Sequence, residues 1–310
     1  MPELFLGKQQ LHAEQDENLL DCLLRQGQRI PWSCRAGQCQ SCLIQARPGE
    51  APESATRQLQ PEQQQQGWLL ACQCAVQGDM HLHLHDPARD GLPAQITRMD
   101  FVEDILILRL QPTKALRFKP GQHLLLWLDG GLGRPYSIAS QPAEQDISFH
   151  LRLHPQGAFS QRIRECRVGD TLHLGAPSGH LHYDPLWHDT PLLLLASGTG
   201  LAPLQAIARE ALESGHNAPI ALWHWSRTGQ ACYLEQPLQE LAAQHPLLQL
   251  NLLQGNDPAP DLKALRLASR KTMALLCGHP AFVEQLRKPL FMAGLSGRQI
   301  LDEAFISRPH

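Results

Sequence analysis

Apolar and polar positions divide the chain into three regions of different periodicity. Up to about residue 88 the pattern is mixed. Asn18-Leu19-Leu20-Asp21-Cys22-Leu23-Leu24-Arg25 has helical apolar spacing and stops just before Gly27, where a helix end is expected. Pro61 to Gly67 is rich in glutamine, but Pro at its start and Gly at its end predict a short exposed helix rather than a linker. Met80-His81-Leu82-His83-Leu84-His85 alternates with period two, which predicts a strand with three histidines on one face. Asp86 to Pro93 is turn-rich and polar and reads as a domain linker. From 94 to 185 short apolar runs recur, among them Ile105 to Leu110, Gln122 to Leu128, Ile147 to Leu153 and Asp170 to Leu174. They predict a small antiparallel β-barrel. From 190 to 310 strands alternate with helices. Leu192 to Ala196 precedes a helix ending near 213, Ile220 to Trp225 one at Glu235 to Gln244, and Thr272 to Leu276 a third. That βαβ series implies a parallel sheet. The expected fold is multidomain: α+β over 1–88, antiparallel β-barrel over 94–185, and α/β over 190–310.

With 310 residues, 43% apolar and 18% charged, the chain has the composition of an ordinary globular protein of two or three domains. A net charge of −3 gives no electrostatic case for nucleic acid or an acidic membrane surface. The longest apolar runs are strand-length, too short to span a bilayer, and Met1 to Leu6 lacks the basic-then-apolar order of a signal peptide. Nine cysteines, an odd count without a secreted pattern, suit a reducing compartment. The expectation is a soluble cytoplasmic protein with no nucleic-acid partner and no membrane insertion.

The cysteines change the picture. Cys34, Cys39 and Cys42 follow the spacing C-x4-C-x2-C, with Cys72 far downstream, which is the ligand pattern of a plant-type 2Fe–2S cluster. Three thiolates on one loop can wrap two irons while the fourth closes the site, and Gly37 permits the sharp turn. A zinc site would more often show two close pairs. Cys74 competes with Cys72, since residues two apart on a strand share a face. Cys22, on an apolar helix side, reads as a core residue. His81, His83 and His85 could share an ion, although a last strand with a solvated face is the simpler explanation. Gly198-Thr199-Gly200, between a buried strand and a helix, suits a pyrophosphate at a helix N-terminus, with Pro203 replacing the third glycine of the dinucleotide fingerprint. Arg134, Tyr136 and Ser137 offer a cation, an aromatic face and a hydroxyl. Gly157 to Ser160 supplies a second glycine at a helix start.

Taken together, Cys34 to Cys42, Leu70-Ala71-Cys72-Gln73, Phe118-Lys119-Pro120-Gly121-Gln122, Arg134 to Ser140, Gly157 to Ser160, Ala176-Pro177-Ser178-Gly179, Gly198 to Pro203 and Cys277-Gly278-His279-Pro280 resemble the reductase components of multicomponent oxygenases. These include the reductases of benzoate dioxygenase, phenol hydroxylase and soluble methane monooxygenase. The resemblance runs to about Phe305 and implies a β-grasp-like ferredoxin domain, an FAD-binding barrel and an NAD(P)-binding α/β domain. It implies that Cys72 rather than Cys74 is the fourth cluster ligand. It also implies that Arg134, Tyr136 and Ser137 hold the flavin, that Gly157 and Ser160 line its pyrophosphate, and that Gly198, Thr199 and Gly200 bind the nicotinamide dinucleotide. Cys277 would stand beside the reactive carbon of the nicotinamide, Phe305 would shield the flavin, and Glu303 would serve a nearby proton relay. Two positions depart from the family pattern: His123 replaces a tyrosine, and Ala176 begins the G-P-x-G turn. The implied activity carries electrons from NAD(P)H through FAD to the cluster and on to a protein acceptor, an oxygenase or another iron protein. Competing readings are a reductase of small-molecule acceptors (flavin, quinone, metal chelate) and a non-catalytic redox sensor. Arg227, just past the strand ending at Trp225, can favour a 2′-phosphate, but relatives that use NADH also carry an arginine near this position, so the coenzyme stays open between NADH and NADPH.

Overall fold

The computed structural model describes residues 1–255, 257–263 and 265–306, so the last four residues of the expected third domain lie outside the described residues. The first sheet joins β1 (Glu3–Leu6), β2 (Gln9–His12), β3 (Leu43–Ala46), β4 (Trp68–Leu70) and β5 (Met80–Leu84), in the order β2-β1-β5-β3-β4. β1 and β5 are parallel and the other pairs antiparallel. Helix α1 (Leu19–Arg25) lies across it, burying Leu19, Leu20, Cys22 and Leu23, and its first turn is capped by the Asn18 side chain accepting from Asp21 N–H. Two short helices, α2 (Glu53–Thr56) and α3 (Pro61–Gln65), follow, the second exposed as the Pro and Gly punctuation predicts. The polar stretch expected as a linker is structured. It forms α4 (Pro87–Asp90), capped by Asp86, and continues directly into β6 (Leu92–Val102).

β6 opens the second sheet with β7 (Ile105–Pro112), β8 (His123–Leu128), β9 (Leu132–Ser137), β10 (Ile147–Arg152) and β11 (Thr171–Leu174), all antiparallel in the order β10-β7-β6-β11-β8-β9. The chain just past β9 meets β10 through an Ile138–Phe149 bridge, which closes the expected barrel around Phe149, Leu108 and Leu126. Helix α5 (Ala158–Glu165) starts at Gly157 and covers β8 and β9.

The third sheet is wholly parallel. β12 (Leu192–Ser197), α6 (Leu201–Glu213), β13 (Ile220–Ser226), α7 (Glu235–Gln244), β14 (Leu248–Gln254), α8 (Ala259–Leu262), β15 (Met273–Gly278), α9 (Pro280–Met292) and β16 (Ile300–Ala304) give the strand order β14-β13-β12-β15-β16. Apolar cores lie on both faces. The strand order reverses between β12 and β15, so a crevice opens at their carboxyl ends, where Gly198 and Gly278 follow the strands. That crevice faces β9 and α5 of the barrel.

Candidate functional site

The cluster loop coils tightly because Arg35 (φ 53°), Gly37 (φ 80°) and Gln40 (φ 50°) take left-handed backbone conformations. Its thiols meet in two pairs. The N–H groups of Ala36 and Cys39 each lie 3.3 Å from Cys34 Sγ, and Cys34 N–H lies 3.4 Å from Cys39 Sγ. In the second pair, Cys72 N–H donates to Cys42 Sγ at 3.4 Å and Gln73 Nε2 to Cys72 Sγ at 3.6 Å. Hydrogen bonding from Cys39 draws Cys34 toward the thiolate, and that from Cys42 does the same to Cys72, while Cys39 and Cys42 are pushed up. Among the described residues no three His, Cys, Asp or Glu side chains converge as a single ion would require. Two thiols for each of two irons, with amides aimed at sulfur, fit a 2Fe–2S cluster. Cys74 does not share the face of Cys72. The chain leaves β4 in a tight helical turn over Ala71–Gln73, and Cys74 points into the core with its thiol pushed up to about 12 by burial. The three histidines do not converge either: His81 bonds Glu50 at 2.9 Å, His83 is exposed, and His85 stacks on Trp127.

A cavity of about 1090 Å³ runs between the three sheets, large enough for a dinucleotide. Cys34, Cys39, Arg134, Tyr136, Ser137, Gly157, Ser160, Gly198, Thr199, Arg227, Glu303 and Phe305 all line it. Arg134 stands at the edge strand β9, its Nη1 on the Gly133 carbonyl at 2.8 Å, and burial lowers its pKa. Tyr136 tilts against Phe159 with ring centroids 5.3 Å apart, and desolvation raises its phenol. Ser160 Oγ accepts from His154 N–H at 3.0 Å inside the first turn of α5.

Glu303, from β16, gathers two domains. Ser137 Oγ donates to its Oε1 at 3.0 Å, and His123 Nδ1 lies 3.3 Å from its Oε2. The other imidazole nitrogen of His123 meets Ser178 Oγ at 3.1 Å. Burial opposes the charged imidazole, yet the Glu303 carboxylate, helped by Cys39, raises His123 above its ordinary pKa. His123 thus stands between the carboxylate and the cluster loop. Sequence reasoning marked it only as a departure, because its partners lie at the far end of the chain.

On the nucleotide side the turn after β12 is packed to the limit. A Cβ on Gly200 would stand 2.2 Å from the Cys277 carbonyl oxygen, so only glycine lets the turn lie over the end of β15. Gly200 and Cys277 are not among the residues that line the cavity. Cys277 is fully buried in the core against which Phe305 packs, and burial raises its thiol well above the ordinary value. Phe305 is half-buried at the cavity edge, with its N–H on the Gly278 carbonyl at 2.8 Å. Two residues give no signal in the sequence pattern: Arg152, which lines the cavity at the end of β10, and Asp104, in the β6–β7 turn, which pairs with both Arg152 and Arg227.

The sulfur pairs, the glycine-lined crevice and the three sheets define a three-domain flavin and iron–sulfur reductase. Residues 5–77 match the 2Fe-2S iron-sulfur cluster binding domain, 97–183 the oxidoreductase FAD-binding domain and 194–288 the oxidoreductase NAD-binding domain. The chain is 32% identical over 308 residues to the ferredoxin–NAD(P)(+) reductase component of a naphthalene 1,2-dioxygenase system from Pseudomonas putida, covering 93% of each. It is 29% identical over 327 residues to the reductase subunit of an aromatic O-demethylase from an Amycolatopsis species, covering 97% of each. The crystal structure of an Amycolatopsis cytochrome P450 reductase superposes with a TM-score of 0.67 at 27% identity, over 98% of this chain and 99% of that one. The chain belongs to the reductase components of multicomponent oxygenase systems. It is an NAD(P)H-dependent oxidoreductase that uses FAD and a 2Fe–2S cluster. No helix among the described residues is long and apolar enough to cross a membrane.

Proposed function

We propose that this reductase feeds an iron-containing protein acceptor in the cytoplasm, an oxygenase component first of all, and that Cys34, Cys39, Cys42 and Cys72 carry the cluster that does so. The observation carrying this reading is that Cys34 and Cys39 line the same cavity as Tyr136, Ser137, Gly198 and Phe305, while Arg35 and Ala36 on the outer side of the loop are exposed. FAD bound in that cavity would supply the exchange between a hydride's two electrons and the single electrons that a cluster held by the four cysteines would carry. The residues supply the rest. Arg134 and the α5 N-terminus at Gly157 suit flavin phosphates, with Ser160 fixing that turn; Tyr136 offers its ring to the flavin. Ser137 Oγ, donating to Glu303 Oε1, gives a hydrogen-bonded path between that carboxyl group and the flavin ring edge. Gly198 and Thr199 receive the nicotinamide dinucleotide, with Arg227 beside its ribose, Gly200 and Cys277 shaping the turn from behind, and Phe305 keeping water off the flavin. Four apolar clusters, one in the first unit, one in the second and two on the faces of the third sheet, support functional units at 1–88, 94–185 and 190–310, with Leu181 and Tyr183 packing into the third unit's core. The relatives support the acceptor class, since one is a component of a dioxygenase system and the other of an aromatic O-demethylase.

Cys72→Ser tests this. Reduction of ferricyanide by NAD(P)H should persist through the flavin, while delivery to a purified oxygenase component or to cytochrome c drops about 100-fold. Equal delivery by wild type and variant would instead favour the small-molecule reductase. Nucleotide binding without bleaching of the flavin would favour a sensor.

A further inference from the structure

Arg227 stands where a parallel sheet of this order receives the adenine ribose, just past β13, the strand beside the one that ends in the Gly198 turn. A lone arginine there would favour a 2′-phosphate. This guanidinium, however, is already engaged. Its Nη1 lies 3.0 Å from Asp104 Oδ2, and the same oxygen takes Arg152 Nη1 at 2.5 Å. Asp104 comes from the flavin domain, in the two-residue turn between β6 and β7. That turn is fixed: Glu103 takes a left-handed φ of 53°, and the Asp104 carbonyl accepts from Leu153 N–H at 2.7 Å. The carboxylate is therefore carried across the domain junction to Arg227 by a rigid hairpin rather than by a mobile side chain.

The two arginines differ in what else they can reach. Arg152 faces the Gly198 turn, its Nη2 lying 3.1 Å from where a Cβ on that glycine would stand. A pyrophosphate seated at this turn can take up the charge of Arg152. What remains is Arg227 and Asp104, a balanced pair at the ribose. A 2′-hydroxyl can bond to either partner without changing that balance. A 2′-phosphate must share Arg227 with a carboxylate that cannot move away, and like charges side by side oppose it.

We propose that Asp104 is a positioning residue for coenzyme choice: by engaging Arg227 it turns an arginine-bearing site toward NADH. This rests on reading Gly198 to Gly200 as the dinucleotide turn. The test uses the holoenzyme, comparing kcat/KM for NADH and NADPH with ferricyanide as acceptor. Calorimetric binding of adenosine 2′,5′-bisphosphate against adenosine 5′-monophosphate gives a readout independent of turnover. Wild type should prefer NADH. Asp104→Asn should raise the NADPH-to-NADH ratio about tenfold, and the bisphosphate should gain over the monophosphate in step. Asp104→Glu should restore the wild-type preference, and adding Arg227→Ala to Asp104→Asn should abolish the gain. A wild-type preference for NADPH, an Asp104→Asn effect equal on both coenzymes, or a gain that survives without Arg227 would overturn the role of Asp104. Failure of well-folded holoenzyme to bind either coenzyme would overturn the assignment of the turn itself, and the inference with it.

Discussion

A single methyl group at Gly200 tests how the nucleotide crevice is built. The atoms it would meet, the Cys277 carbonyl oxygen at 2.2 Å and carbon at 2.5 Å, belong to the backbone and cannot swing aside. Gly200→Ala must lift the turn off β15, at a cost of about 2 kcal/mol of stability. Affinity for the coenzyme should fall as well, because Gly198 and Thr199 move with the turn. A thermal melt and a nucleotide titration both unchanged from wild type would sink this account. Residues of this kind were legible in the sequence, because a G-x-G between a buried strand and a helix, or cysteines at C-x4-C-x2-C, acts through local spacing. His123, Asp104 and Arg152 were not legible, because each acts through a partner brought from another element: Glu303 for the first, Arg227 and the Gly198 turn for the others. Cys277 illustrates the converse. Its place in a motif was plain, but its burial depends on side chains from distant elements, Phe305 among them, that share its core.

The elements missed in the sequence share a physical cause. β9 contains Gly133 and Pro135, which argue against a strand, but it lies at the edge of its sheet, where a missing N–H leaves no ladder bond unmade in the middle of the sheet. β16 carries Asp302 and Glu303 because its end faces the cavity rather than an apolar core, so its polar character comes from function. The turn after β4 decides the cluster. A continued strand would set Cys72 and Cys74 on one face, whereas the tight turn at Ala71–Gln73 sends one thiol to the loop and the other inward. Cys74→Ala should therefore retain two irons per chain and the visible bands of the cluster, while losing about 1 kcal/mol of stability to the small cavity left behind. Colorimetric iron and a denaturant melt measure both. Iron content falling with the sulfur would mean that Cys74, not Cys72, is the ligand.

Across the whole molecule, two neutral histidines brace the cavity, one across the junction of the flavin and nucleotide domains and one within the nucleotide domain. His150 from β10 bonds the Tyr233 hydroxyl at 2.9 Å, and His224 from β13 holds the Gly198 carbonyl at 3.0 Å, with its other nitrogen buried and unpartnered. Burial, with Arg109 nearby, pushes His150 down to about 3. Burial, with Arg152 adding to it, pushes His224 down to about 4 although the Gly198 carbonyl opposes the shift. In the unfolded chain both titrate near about 6.5. Between those values the unfolded state binds more protons than the folded one, so folding stability must fall as pH drops below about 6.5 and level off only near the folded pKa values. Above pH 7 these two residues contribute no slope. The melting temperature of the holoprotein should drop by several degrees between pH 7.5 and pH 5. In a His150→Asn and His224→Asn double variant, lower in stability at neutral pH, the slope over this interval should be shallower, since the amides do not titrate. The coenzyme turn should share this sensitivity, because the carbonyl that His224 holds belongs to Gly198. An equal slope in wild type and double variant would show that the acid sensitivity arises elsewhere and that the cavity is not braced by neutral imidazoles.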